Sequence, residues 1–325
     1  MNEAEVISRL RRIATAPEAR GLLDDVAVLD GLVITHDTIA EGVHFLSSDP
    51  PASVGWKLVA VNLSDLAAKG ATPAGALLSL TLCGDGAWES LFLDGIEAAC
   101  ESYALPLIGG DTLSIPAAAP RVLGMTAIGR AGERVPHRGG GKVGDGLWIV
   151  GTLGDSAAGL AQLLNDRHAI GTLVDIYRRP IPQLGAGQAI APIADAMMDV
   201  SDGLLLDARR MADASGCVAA VELDLIPLSD EFVAARGDTR AARLFAATGG
   251  DDYALLAALP ADFDPATISL PRGTTMARIG SLKAGAPSIA VTDHGQPVPL
   301  PEKLGFEHQG IEHRGSSAPY LADRH

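Results

Sequence analysis

Residues 54–70, VGWKLVAVNLSDLAAKG, set a problem that the rest of the chain has to solve. Ser53 reads as an N-cap and Gly70 as a stop, so 54–69 is predicted to be a helix. Its apolar run marks it as a buried one. Yet Asn62, Ser64 and Asp65 stand together within it. A buried polar group costs free energy unless it finds a partner, and a buried carboxylate costs far more. Aspartate in mid-helix is also locally unfavourable. Something near in space must answer Asp65.

The chain has 325 residues, 47% of them apolar, which is enough for two cores. Aromatics make up only 4%, so those cores must be built from Ala, Leu, Val and Ile. Val6, Ile7, Leu10 and Ile13 mark an amphipathic first helix. Strands are predicted at 26–30 and 32–37 around the turn signal Asp30-Gly31, then at 75–82, 105–110 and 121–131, with a helix at 87–103. The stretch HRGGGKVGDG (137–146) reads as a joint. Beyond it the pattern restarts, with a strand at 147–152, helices at 156–165, 183–195 and 203–214, and strands at 217–224, 253–259, 275–282 and 288–293. The fold class is therefore mixed α/β in two domains, 1–137 and 138–310, followed by a polar, aperiodic tail (311–325) expected to be mobile.

Six acidic spots share one pattern, a polar cluster at the end of an apolar segment. They are LLDDVAVL (22–29), ITHDTIAEGVHF (34–45), NLSDLAAKG (62–70), LIGGDTLS (107–114), MMDVSDGLLLD (197–207) and ATGGDDYALL (247–256). A strand ending in Gly-Gly-Asp places a carboxylate at a loop mouth. Ser201 or Asp202 is expected to cap the helix 203–214, whose N-terminus could face a phosphate. Singly, most of these acids read as turn or cap residues. Together, with almost no Lys nearby, they suit hard cations such as Mg²⁺, which take oxygen ligands and bridge to phosphates.

The formal net charge of -15 argues against nucleic acid or an anionic membrane as main partner. Cys83, Cys100 and Cys217 are too scattered for a zinc motif or a disulfide framework. No stretch approaches the ~20 apolar residues of a membrane helix, and MNEAEVISRLRR lacks the apolar centre of a signal peptide. A cytoplasmic location is expected. No Walker A sequence, dinucleotide fingerprint, protein-kinase motif set or G-x-S-x-G elbow occurs. An ATP enzyme of this sequence would hold its nucleotide through metals and loops of another design.

In combination and order, these segments resemble the thiamine-monophosphate kinase family of the PurM-like ATP-binding superfamily. That family carries G-I-G-D-D-x-A, S-T-D-T-L-x-E-G-x-H-F, N-L-S-D-L-A-A-M-G-A, I-G-G-D-T, G-D-S-A-A-G-L, D-[IVL]-S-D-G-L, G-G-E-D-Y-E-L and a late G-Y/F-x-H. This chain has LLDDVAV, THDTIAEGVHF, NLSDLAAKGA, IGGDT, GDSAAGL (154–160), DVSDGL, GGDDYAL and GFEH (305–308), so the resemblance spans about residues 5 to 308. It implies two α/β domains, a homodimer formed by the N-terminal halves, and transfer of the γ-phosphoryl of ATP to thiamine monophosphate. It also implies Mg²⁺ ligands at Asp25, Asp37, Asp65, Asp111 and Asp199, a further metal at Asp202, and metal contacts from Thr35 and His36. The implied ATP contacts are Gly110, Asp111, Arg138 and Ser201, and the acceptor contacts His44, Asp251 and Phe306. Asp65, Asp111 and Arg138 form the implied catalytic group.

Three departures stand out: Gly21-Leu22-Leu23 replaces G-I-G, His36 replaces a hydroxyl residue, and Asp251 replaces Glu, with Asp252 beside it as a substitute. A phosphate monoester acceptor, with a second pKa near ~6, is mostly a dianion at neutral pH and needs no catalytic base. The expected reaction is direct in-line transfer assisted by several Mg²⁺ ions. The alternatives are a sibling PurM-like enzyme (a ribotide synthase, a selenophosphate synthetase or a hydrogenase maturation factor) and a degenerate metal-binding paralogue without activity.

Overall fold

The computed structural model describes residues 3–307. The tail 311–325 and His308 lie outside the described residues. The chain opens with α1 (Glu3–Leu10) and a 3-10 segment at Pro17–Leu22. Ile13 falls beyond the helix, and Val6, Leu10 and Ile13 are all exposed.

Strands β1 (Ala27–Leu29) and β2 (Leu32–Ala40) form the expected hairpin. Asp30 and Gly31 turn it with φ of 49° and 77°, the left-handed pair that matches the twist of the flanking strands. Next come α2 (Pro51–Ala68), β3 (Thr72–Leu82), α3 (Gly86–Ser102), β4 (Leu107–Ser114) and β5 (Val122–Arg130). These strands make a five-stranded sheet in the order β1-β2-β5-β3-β4, with β3 and β4 parallel and the other neighbours antiparallel.

The second sheet has seven strands in the order β12-β11-β8-β10-β6-β9-β7. They are β6 (Gly146–Val150), β7 (Ala196–Val200), β8 (Val218–Glu222), β9 (Ala254–Leu259), β10 (Met276–Lys283), β11 (Ser288–Asp293) and β12 (Gln296–Pro297). Around it lie α4 (Asp155–Asn165), α5 (Thr172–Arg178), α6 (Leu184–Ile190), α7 (Leu204–Ser215), α8 (Asp230–Arg236) and α9 (Arg240–Thr248).

Helix α2 ties the halves together. Its middle packs with Val33, Phe92 and Met125 in the N-terminal core, while Ala67 and Ala68 at its end join Trp148, Met197 and Leu255 of the C-terminal half. Gly187 lets α6 approach closely, since a Cβ there would collide with the Ala67 carbonyl. The result is a helix buried on all sides, as its composition predicts.

Four local expectations change. Helix α2 starts at Pro51, with Pro50 in the cap position and no side-chain cap, so Ser53 lies inside it. Strand β4 does not end at Gly110 but pairs with β3 as far as Ser114, which puts Gly109–Asp111 in mid-strand. The predicted helix 183–195 stops at Ile190, and β7 follows, buried along its whole length. Gly203, not Ser201 or Asp202, occupies the cap position of α7. Helices α5, α8 and α9 had no counterpart in the sequence reading.

Candidate active site

The polar run on α2 is answered residue by residue. Asn62 Oδ1 accepts the Asp37 amide at 3.0 Å while its Nδ2 donates to the Leu58 carbonyl at 2.9 Å. Ser64 donates to Asp199 Oδ2 at 2.7 Å. Thr35 donates to Asp65 Oδ2. Residues i and i+2 of a strand share a face, so Thr35 and Asp37 of β2 both look toward α2. Asp25 precedes β1, and Asp199 sits on β7. Asp25, Asp65 and Asp199 each offer a carboxylate oxygen within 4.8 Å of the others.

Such crowding shifts the carboxyls. Burial pushes Asp37 up to about 6, with Asp25 and Asp202 adding repulsion. Burial, then the Asp25 charge, pushes Asp199 up to about 8 against the Ser64 hydrogen bond. Asp65 is raised well above the usual range by burial and then by Asp37, Asp199 and Asp25. Asp25 goes the other way: burial would raise it, but the charges and hydrogen bonds of Arg138 and Lys69 hold it below the usual range. The cluster has more negative charge than its side chains can balance, which favours added cations.

Arg138 donates through its guanidinium to Asp25 Oδ1 and through its amide to Asp24 Oδ1 at 3.2 Å. Asp202 lies at the rim, held by Arg210 at 2.5 Å, and Arg210 also reaches Asp207 at 2.9 Å. The Asp207 carboxyl, fully buried and beside Asp202, is pushed up to about 7. The Ser201 carbonyl accepts the Asp251 amide at 2.8 Å, and the Phe306 amide donates to the Asp202 carbonyl at 2.9 Å. Both residues therefore pack against the 201–202 segment.

A second group surrounds the other end of α2. Lys57, 2% exposed, donates to Asp251 Oδ2 at 3.1 Å and to the His44 carbonyl at 3.0 Å, and its ammonium lies 4.1 Å from the centre of the Tyr177 ring. Tyr253 donates to Asp251 Oδ1 at 3.0 Å. Asp251 and Tyr253 adopt φ of 68° and 53°. Left-handed backbone at two non-glycine residues is strain of the kind that persists where surrounding structure over-determines it. His44 Nδ1 faces the Ala40 amide at 3.1 Å. Asp252 is engaged elsewhere, accepting the Gly154 and Ser156 amides at the start of α4.

Three expected residues are not brought to the cluster within one chain. His36 points to the opposite face of β2 from Thr35 and Asp37, where it meets Thr126 Oγ1 at 2.9 Å and Thr38 Oγ1 at 3.3 Å. Asp111 and Gly110 lie on the exposed edge strand β4. Register runs Asp37 to Met125 to Leu78 to Gly110, three strand spacings of about 4.8 Å, or roughly 14 Å. Gly110 is required there, because a Cβ would strike the Leu78 backbone. At the departure from G-I-G, Arg20, Gly21 and Leu22 all take positive φ, so the chain adopts left-handed backbone just before Asp25 despite having lost one glycine.

Sequence reasoning missed Asp24, Lys57, Lys69, Asp207 and Arg210. Asp24, Lys57, Lys69 and Asp207 lay within segments it had singled out. Lys57 and Arg210 carried no signal beyond charge beside apolar neighbours.

Known proteins share this architecture. The family described as AIR synthase related protein matches with its N-terminal domain over residues 23–131 and its C-terminal domain over 142–290. The thiamine-monophosphate kinase of Salmonella typhimurium is 39% identical over 306 residues, 89% of this chain and 91% of its own. That of Caulobacter vibrioides is 36% identical over 94% of this chain and 90% of its own. The solved structure of AaThiL complexed with AMPPCP and TMP superposes with a TM-score of 0.81 at 31% identity, covering 94% of this chain and 97% of that one. With the relatives matched over nearly their full length and both halves of the fold present, this chain belongs to the thiamine-monophosphate kinase family.

Proposed function

We propose that the protein transfers the γ-phosphoryl group of ATP to thiamine monophosphate, giving thiamine diphosphate, by direct in-line attack. The observation that carries this reading is the convergence of Asp25, Asp65 and Asp199 from three separate elements onto one point. The donor set is all carboxylate, as Mg²⁺ prefers. Asp25 Oδ2 is buried and faces the Lys69 ammonium at 3.2 Å, so a metal ion there would share this oxygen with Lys69. Asp25, Asp37, Asp65 and Asp199 would hold Mg²⁺, with Asp202 at the rim; Mg²⁺ bound there supplies charge neutralisation for the phosphate oxygens.

The protein's own side chains do the rest. Thr35, Ser64 and Asn62 orient Asp65, Asp199 and the Asp37 backbone. Arg138 stands beside Asp25 to meet nucleotide phosphate. The acceptor phosphate, a dianion at neutral pH, attacks without a base. Its thiazolium end would lie near His44, Asp251 and Phe306, where the aromatic face suits a cation and the Asp251 carboxylate is already held by Lys57 and Tyr253. Lys57 and Asp65 are eight residues apart on α2, about 12 Å at 1.5 Å per residue, so one rigid helix links the acceptor end to the phosphate end.

The reading includes a homodimer, with halves 1–137 and 138–310 in each copy. Leu77, Leu107, Ile108, Leu113 and Val122 are exposed on β3, β4 and β5 of one sheet, apolar surface that a second copy would cover. Asp111 is too distant from the cluster of its own chain. A cytoplasmic setting accords with the lack, among the described residues, of any helix long and apolar enough to cross a membrane.

Direct transfer is tested by single-turnover quench with γ-labelled ATP. Label should pass to thiamine diphosphate with no protein-bound intermediate; a stable phosphoprotein that donates to thiamine monophosphate would overturn it.

A further inference from the structure

Helix α2 brings two groups of opposite sign to the acid cluster. Asp65 lies in the last turn of α2, and Lys69 follows as its C-terminal cap residue. Lys69 is fully buried, which an ammonium tolerates only among acceptors that replace its water. Its Nζ donates to Asp24 Oδ1 at 2.7 Å and to the Met197 carbonyl at 2.9 Å, and lies 3.2 Å from Asp25 Oδ2. Asp24 does not need this charge for itself. Arg20 pairs with its other oxygen at 2.5 Å, and the Arg138 amide adds a further hydrogen bond. Asp25 differs: Arg138 takes its Oδ1, while its Oδ2 has the Lys69 ammonium at 3.2 Å. Asp25, a member of the three-carboxylate convergence, thus already has an ammonium beside its carboxylate.

We propose that Lys69 is a tethered cation built into the metal cluster. It supplies covalently one of the positive charges the site needs, and it competes with divalent cations for Asp25. The chain consequently binds divalent cations more weakly, or in smaller number, than the same carboxylates would without it. This rests on the cluster being the metal site of the proposed reaction, but its test needs no turnover. If the wild type fails to make thiamine diphosphate, the functional reading falls; the metal isotherms decide the role of Lys69 separately.

The experiment titrates the full chain, without nucleotide, with Mn²⁺ as the probe, following free Mn²⁺ by electron paramagnetic resonance. Lys69→Met removes the charge at similar volume, Lys69→Gln removes it but keeps a donor for Met197, and Lys69→Arg keeps it. The two neutral variants should bind one more Mn²⁺ per chain or show at least a tenfold tighter Kd, while Lys69→Arg stays within threefold of wild type. Neutral variants with unchanged or weaker isotherms would overturn the proposal and leave Lys69 a structural strut. If they fold only when Mn²⁺ is present, the metal is replacing the lost ammonium and the proposal holds. If excess Mn²⁺ does not restore folding, it fails.

Discussion

Lys57→Met tests whether the two halves are clasped as the structure shows. The substitution keeps most of the volume and some affinity for the Tyr177 ring, because a thioether also packs on aromatics. It removes the ammonium that faces Asp251 Oδ2 at 3.1 Å and the His44 carbonyl at 3.0 Å. Asp251 is 4% exposed, so its carboxylate keeps the Tyr253 hydroxyl at 3.0 Å but loses the Lys57 ammonium. Breaking a buried pair on one side costs about 3–5 kcal/mol. At roughly 2–4 °C per kcal/mol for a chain of this order of size, Tm should fall by about 10 °C. Removing both charges in Lys57→Met/Asp251→Asn takes away the buried carboxylate as well, and most of the loss should return, to within about 2 kcal/mol of wild type. Thermal unfolding followed by circular dichroism at pH 7.5 reads all three proteins. A single variant that melts within about 2 °C of wild type, or a double variant no better than the single, would refute the reasoning.

Other outcomes follow from the acid cluster. Asp65→Asn should lower kcat by about a hundred- to a thousandfold, the range for loss of one group that stabilises transition-state charge, without lowering Tm in chelator, since burial and the neighbouring carboxylates already favour the uncharged form of Asp65; a melting temperature well below wild type would show that Asp65 is structural. Asp37 and Asp199, raised from 3.8 to about 6 and about 8, hold protons in the folded state that the unfolded chain releases. Metal-free stability should therefore fall as pH rises from about 4 to 8, Asp199→Asn should flatten that slope, and added Mg²⁺ should restore Tm at pH 8; a slope unchanged in Asp199→Asn would contradict the assignment. Mixing and reassembling Asp65→Asn with Asp111→Asn, each inactive alone, should recover about a quarter of wild-type activity, because half the dimers are mixed and each has one intact site. No recovery would mean that both residues serve the site of a single chain.

Much of the fold was legible because its signals are local. Alternation and turn chemistry located β1, β2 and their Asp30-Gly31 hairpin, and the apolar α2 declared its own burial. Strand β7 was not, since IAPIADAMMDV is apolar without period and reads equally as helix; its place between β9 and α2 decides it. The end of β4 was misjudged because Gly-Gly-Asp is a loop signal that edge pairing with β3 overrides. At the site, Asp65 was flagged by energy alone, and the acids that meet it by their repeated setting. What sequence could not show is which charges are already balanced. Lys57 and Lys69 are ordinary letters in an apolar helix until the fold places carboxylates against them. His36 and Asp111 needed strand facing and strand order before their distance from the cluster could be known.

The most direct measurement is product analysis after incubation of the protein with ATP, Mg²⁺ and thiamine monophosphate. The account predicts thiamine diphosphate and ADP in equal amounts, with neither formed when thiamine monophosphate is omitted or Mg²⁺ is chelated. Absence of thiamine diphosphate from a folded, metal-binding preparation, or ATP consumption indifferent to thiamine monophosphate, would contradict it.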